Sequence, residues 1–191
     1  MSAGNVLVVC GKVEFAKEIA SLMINNNGYA ASEFALSASE ARRKMNVLEP
    51  DLIIVNTPLP DEPGAGFIQD IADKTDAGIL VLSRQEDLNE LQFRLEKTGA
   101  LILPKPISRT ILVQTSRFAA DTRKSIQDLV SQRDDLKKRA QERKTVEKAK
   151  WMLVEKLNMT ESQAHRYIQK MAMDKRILQI KVAEEIISNY E

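Results

Sequence analysis

Two groups of residues in this 191-residue chain could do chemistry. The first is cationic: Lys148, Lys150, His165, Arg166, Lys170 and Arg176, with Lys175 and Lys181 close by. Carried on short amphipathic helices, they leave one polar, basic surface that suits a polyanion. Lys and Arg would hold phosphates, and His or Arg planes could stack on exposed bases. The second group is Cys10-Gly11-Lys12, Asn56, Ser83 and Lys105, in the loops that follow short apolar runs. It pairs no nucleophile with a base and supplies no anionic metal set. No catalytic residue, metal or cofactor is expected, and the chain does not read as an enzyme.

The elements that carry the cationic group come late in the chain. From Thr145 to Leu157 the residues Val146, Ala149, Leu153 and Leu157 recur at helical spacing, and Asn158-Met159 interrupts them. Thr160-Glu-Ser-Gln163 then reads as a capping box opening a second helix, with an apolar stripe of Ala164, Tyr167, Ile168, Met171 and Ala172. Asp174 is expected to cap a third helix, with Ile177, Leu178, Ala183, Ile186 and Ile187 inward. Helices this short do not persist alone in water, so the three must pack as a bundle. Trp151 and Tyr167 fall close to the apolar stripes and read as core rather than as stacking platforms.

The elements that carry the second group come first. Val6-Leu-Val-Val9, Tyr29 to Leu36, Leu52-Ile-Ile-Val55, Ile79-Leu-Val-Leu82 and Ala100 to Leu103 read as strands. Helical segments alternate with them at Val13 to Asn25, Ser39 to Leu48, Phe67 to Asp73 and Asp87 to Thr98. Five strands alternating with helices predict an α/β fold with a doubly wound parallel sheet, its functional cleft at the carboxyl ends of the strands. Ser108 to Leu157 contains neither Pro nor Gly, so one helix of about 75 Å could run through it. Within it Ile126, Leu129, Arg133, Leu136, Ala140 and Arg143 follow a three–four alternation, the seam of a parallel coiled coil. Ile126, Leu129, Leu136 and Ala140 are the expected dimer contacts; Arg133 and Arg143 would weaken the seam or fix its register.

Composition agrees with this division. The chain is 43% hydrophobic and 29% charged, which suits one or two globular domains. The net charge of +1 divides unevenly, −3 over residues 1–120 and +4 over 121–191. A single cysteine, Cys10, excludes an internal disulfide and suits a reducing compartment; it reads as a small packed side chain. No basic leader precedes an apolar run, and no stretch approaches the ~20 apolar residues needed to span a bilayer, so a cytoplasmic protein is expected.

Two resemblances sharpen these expectations. Ala149-Lys150, Thr160-Glu161, Ala164, Ala172-Met173 and Val182-Ala183-Glu184 resemble the ANTAR domain, the three-helix RNA-binding module of transcription antitermination regulators. Ala164-His165 is similar to the amidase-operon antiterminators in particular. Family members usually carry Gly after the Ala-Lys pair, where this chain has Trp151. The other resemblance covers about residues 4–120 and is to the receiver domain of response regulators. It rests on Asp51-Leu-Ile-Ile-Val-Asn-Thr-Pro-Leu-Pro60 with Gly64, on Ser83, on Gly99-Ala100 and on Lys105-Pro106. Receivers phosphorylate an Asp with the help of Mg²⁺ held by that Asp and an acidic pair after the first strand. Cys10 and Gly11 stand in place of the pair, Asn56 in place of the nucleophile, and Ile102 where switching receivers place an aromatic. The resemblance therefore implies a pseudo-receiver that is not phosphorylated. With no phosphate to hold, Lys105 is expected to hydrogen-bond Asn56 and nearby carbonyls.

The expected organisation is a pseudo-receiver at 1–120, a coiled-coil dimerisation helix at 121–138 and an RNA-binding bundle at 139–191. The function implied is a dimeric antiterminator that binds hairpins in a leader transcript, controlled by a sensor protein partner. The alternative is a DNA-binding response regulator using a helix-turn-helix-like bundle. Against that, the turn at Leu157 to Thr160 lacks Gly, and the helix after Asp174 is largely apolar.

Overall fold

The computed structural model describes residues 4–190. The chain forms two compact units, Met1–Asp128 and Leu129–Glu191.

In the first unit, β1 (Asn5–Val9), β2 (Ala31–Ala35), β3 (Leu52–Asn56), β4 (Gly78–Ser83) and β5 (Leu101–Pro104) form one parallel sheet in the order β2-β1-β3-β4-β5. Between them run α1 (Val13–Asn27), α2 (Ala38–Met45), α3 (Ala65–Lys74) and α4 (Leu88–Leu95), and α5 (Arg109–Leu157) follows β5. A short 3₁₀ turn at Gln85–Asp87 leads into α4, which stops at Leu95 short of the expected Thr98. The apolar runs are continuous because both faces of the sheet are covered. Leu7, Val9, Ile53, Val55 and Val81 pack with Phe67, Ile68 and Leu91 on one side. Val6, Val8, Leu52, Ile54, Leu80 and Leu82 pack with Ile19, Met23, Leu112 and Ala119 on the other. Gly78 is required where it stands, since a Cβ there would meet the Ala119 backbone at 2.7 Å.

The second unit contains the later part of α5, then α6 (Glu161–Lys175) and α7 (Gln179–Tyr190). Asn158, at φ 52°, stops α5. Thr160 then caps α6, its hydroxyl accepting from the Gln163 N–H at 3.2 Å while the Gln163 side-chain Oε1 accepts from the Thr160 N–H at 2.8 Å. Ala149, Leu153, Ala164, Ile168, Ala172, Val182, Ala183 and Ile186 form the core.

The start of the third helix differs from the expectation. Asp174 caps nothing; it lies in the last turn of α6, which Arg176 closes in the left-handed conformation at φ 53°, ψ 41°. Ile177 N–H donates to Ala172 O at 3.0 Å and Arg176 N–H to Met173 O at 3.2 Å, a Schellman closure with Arg where Gly is usual. The chain thus turns two residues later than the Asp signal suggests, and Leu178 is left exposed outside the core.

Candidate nucleic-acid interface and the receiver cleft

The receiver cleft lies where β1, β3, β4 and β5 end. Cys10 follows β1, is buried, and donates its N–H to Ala35 O at 2.9 Å. Its Sγ accepts from the Lys12 N–H at 3.4 Å and from Asn56 Nδ2 at 3.3 Å. Asn56 ends β3, and its Oδ1 accepts from Lys105 Nζ at 2.9 Å. Lys105 Nζ also donates to Thr57 O at 2.9 Å, so it makes the bonds expected of it. Burial pushes the Lys105 ammonium below its ordinary pKa, and Arg84 and Lys12 add to that. Ser83, at the end of β4, is buried with a hydroxyl that has no hydrogen-bond partner among the described residues.

This donor set does not suit Mg²⁺, which prefers anionic oxygens. The cleft offers a thiol, an amide engaged through both its oxygen and its nitrogen, and a cation. A side chain at Gly11 would have to displace the Pro60 ring, since a Cβ there would meet Pro60 Cγ at 2.6 Å. Among the described residues no group of three or more His, Cys, Asp or Glu could hold a metal. Asp61 does other work: its two oxygens accept from the Ala38 and Ser39 N–H groups at 2.9 Å and anchor the start of α2. Those bonds, the one from Ser39 foremost, lower its pKa to about 2.

In the second unit the cationic group is not uniform. His165, Arg166, Lys170 and Arg176 are exposed, and no ion pair holds any of them among the described residues. At 100° per residue, Arg166 and Lys170 lie on the face of α6 opposite Ala164, Ile168 and Ala172, while His165, about 60° from the centre of that apolar stripe, and Gln169, about 100° from it, lie along its flank. Lys148 is exposed on α5. Lys150 departs from the expectation: it is only 8% exposed, pairing with Glu147 Oε1 at 2.7 Å and Glu161 Oε1 at 3.3 Å. It sits about 100° from Ala149, against the core edge, and ties α5 to α6. Its hydrogen bond to Glu147, then that to Glu161, holds its pKa above the ordinary value. Lys175 and Lys181 are likewise paired, with Glu185 and Glu184.

Two family models match this architecture. The response regulator receiver domain matches residues 6–117, and the ANTAR domain matches residues 134–187. The chain belongs to the response regulators that join a receiver domain to an ANTAR domain. Transcriptional regulatory protein PdtaR of Mycobacterium tuberculosis, in strains CDC 1551 / Oshkosh and ATCC 25618 / H37Rv, is 34% identical over 168 residues, 86% of this chain and 80% of that protein. Among solved structures, NtrX from Brucella abortus in complex with ATP is similar at a TM-score of 0.59 and 20% identity, covering 78% of this chain and 35% of that one. A CheY-like response regulator receiver domain protein from Methanospirillum hungatei JF-1 is similar at 0.59 and 18%, covering 65% and 98%. Both likenesses speak to the receiver-like fold.

The aromatic residues of this response regulator also sit differently from expectation. Trp151 is 71% exposed and Tyr167 is exposed as well. Trp151 lies about 200° from Ala149 around α5, on the side away from the bundle core. That angle is a signal in the sequence, which nearness along the chain to Leu153 obscured. The expected seam residues Ile126, Leu129, Leu136 and Ala140 are exposed along α5, Leu129 and Leu136 by 64% and 66%. Among the described residues no helix is long and apolar enough to cross a membrane.

Proposed function

We propose that this response regulator is an RNA-binding transcription antiterminator that engages hairpins in a leader transcript as a dimer, without phosphorylation of its receiver. The observation that carries the reading is the outward face of α6. There Arg166 and Lys170 stand exposed and unpaired within the residues matched as an ANTAR domain, with His165 exposed on the flank of the same helix and Arg176 at its end. Cations already locked to carboxylates must break those pairs to reach phosphate, whereas these need not. Lys148 extends the basic surface onto α5; Lys150 leaves the contact group and becomes a strut.

The organisation that accompanies this reading is a pseudo-receiver at 1–120, a coiled-coil segment at 121–138 and the RNA-binding bundle at 139–191. Ile126, Leu129, Leu136 and Ala140 would be covered by a second copy, since a helix surface with large apolar side chains in water gains by pairing. Asn56 is no carboxylate nucleophile, and it is already spent on Lys105 and Cys10. Control then enters through a sensor protein partner rather than a phosphoryl group.

The test is a competition between a stem-loop RNA and duplex DNA for the full chain, with Arg166→Ala/Lys170→Ala as the comparison. The wild type should prefer the RNA. Loss of two phosphate contacts should lower the salt slope of binding by about 1.4–1.8. Preference for duplex DNA, or a double variant with unchanged affinity at matched salt, would sink the reading.

A further inference from the structure

We propose that Trp151 and the groove beside it form a stacking site for one unpaired RNA base that carries an exocyclic amino group. This rests on the RNA-binding reading above and names the part of the RNA that the end of α5 would take.

Three observations converge. First, the indole of Trp151 lies in water, although Trp is among the side chains with most to gain from burial. Its flat face is a platform on which any base can stack. Second, Trp151 walls a groove of about 250 Å³ whose apolar floor is Val154 and Met159. That is below the roughly 300–1,000 Å³ of small-molecule sites, and suits a single flat ring entering edge-on. Third, the rim carries Glu147 and Glu161, with Lys150 between them. Each carboxylate gives the lysine one oxygen, Oε1, and keeps further acceptor capacity for N–H donors.

Those carboxylates decide the occupant. They repel phosphate, so a nucleotide can enter only base first, with its backbone outside. They accept from the amino groups of adenine, cytosine or guanine, and find no amino donor on uracil. The backbone left outside meets cations at once: Glu161, His165 and Gln169 follow one another at four-residue spacing along α6, with Arg166 and Lys170 alongside. The groove thus takes a base at the point where the phosphate-binding face begins.

The chain has one tryptophan, so its emission reports this site alone. The probe is a stem-loop RNA recovered by the full-length wild-type protein from a hairpin library with a randomised loop. Binding is followed by anisotropy of the labelled RNA and, independently, by Trp emission. The expected result is quenching of Trp151 on binding, abolished when one loop position is made abasic and weakened when that position is uracil. Trp151→Ala should bind roughly 5- to 150-fold more weakly with an unchanged salt slope, and Trp151→Phe should recover part of the loss. RNA that binds without quenching, with Trp151→Ala equal to wild type, overturns the stacking site and leaves the RNA reading standing. Emission that shifts with protein concentration and ignores RNA makes the surface a protein interface and also overturns it. If no hairpin is recovered, both readings fall.

Discussion

Lys150 separates the structural account of the bundle from a simple charge-counting one. Changing it to Ala removes the three methylenes beyond Cβ from a nearly buried position, about 2.4 kcal/mol at ~0.8 each, or roughly 1.5–2 after allowing for a compact unfolded chain. It also breaks the pairs with Glu147 and Glu161, whose side chains are exposed enough that solvent screening limits each pair to about 0.5 kcal/mol. The bundle should therefore lose about 2–3 kcal/mol. Lys150→Met keeps most of the stem and should lose about 1 kcal/mol or less. Hydrogen exchange at the amides of α6 and α7 reads this unit separately from the sheet domain, which a global melt would not. Hairpin affinity of the Met variant, measured under conditions where it stays folded, should match wild type. Because pairing raises the Lys150 pKa, its contribution should be complete from neutral pH up to 10.5 and fade as pH rises beyond that. If both variants kept wild-type exchange protection and both lost RNA affinity, Lys150 would be a contact and the strut would be wrong.

Four further outcomes follow from the geometry. Asn56→Asp should not restore Mg²⁺-dependent labelling from a small phosphodonor, because Cys10 and Gly11 supply no anionic ligand; Gly11→Asp should cost about 1–3 kcal/mol in a urea melt as it pushes against Pro60. Asp61→Asn should weaken the start of α2 by about 0.5–1 kcal/mol at neutral pH. In the wild type the same contribution should be full above pH 3.8 and be lost as pH falls through about 2, seen by exchange at the Ala38 and Ser39 amides; a difference between variant and wild type that stayed undiminished from neutral pH down through about 2 would remove Asp61 from that role. Leu136→Lys should shift the chain from dimer to monomer in sedimentation, and an unchanged mass would place the interface elsewhere.

The fold was legible because its signals are dense and local. Apolar runs such as Leu52–Val55 and the Thr160–Gln163 capping box announce their own structure. The cleft was legible through residue type, since no packing turns Asn56 into a carboxylate. What escaped depended on direction in space. Trp151 and Lys150 are neighbours in the chain, yet one points into water and the other lies against the core, which only the helical angle from Ala149 separates. Asp174 offered a good cap, but Arg176 ended the helix through backbone bonds that no residue type advertises. The approach of Pro60 to Gly11 joins loops about fifty residues apart, and nothing local to either predicts it.

The central claim is that hairpin RNA binds through the outward face of α6 and needs no phosphoryl group. The most direct measurement is the affinity of the full chain for its recovered stem-loop RNA at fixed Mg²⁺, with and without acetyl phosphate, for wild type and Arg166→Ala/Lys170→Ala. The account predicts one wild-type Kd in both conditions and a double variant that folds but binds weakly with a shallower salt slope. Binding that appears only after the phosphodonor is added, or a double variant indistinguishable from wild type, would contradict it.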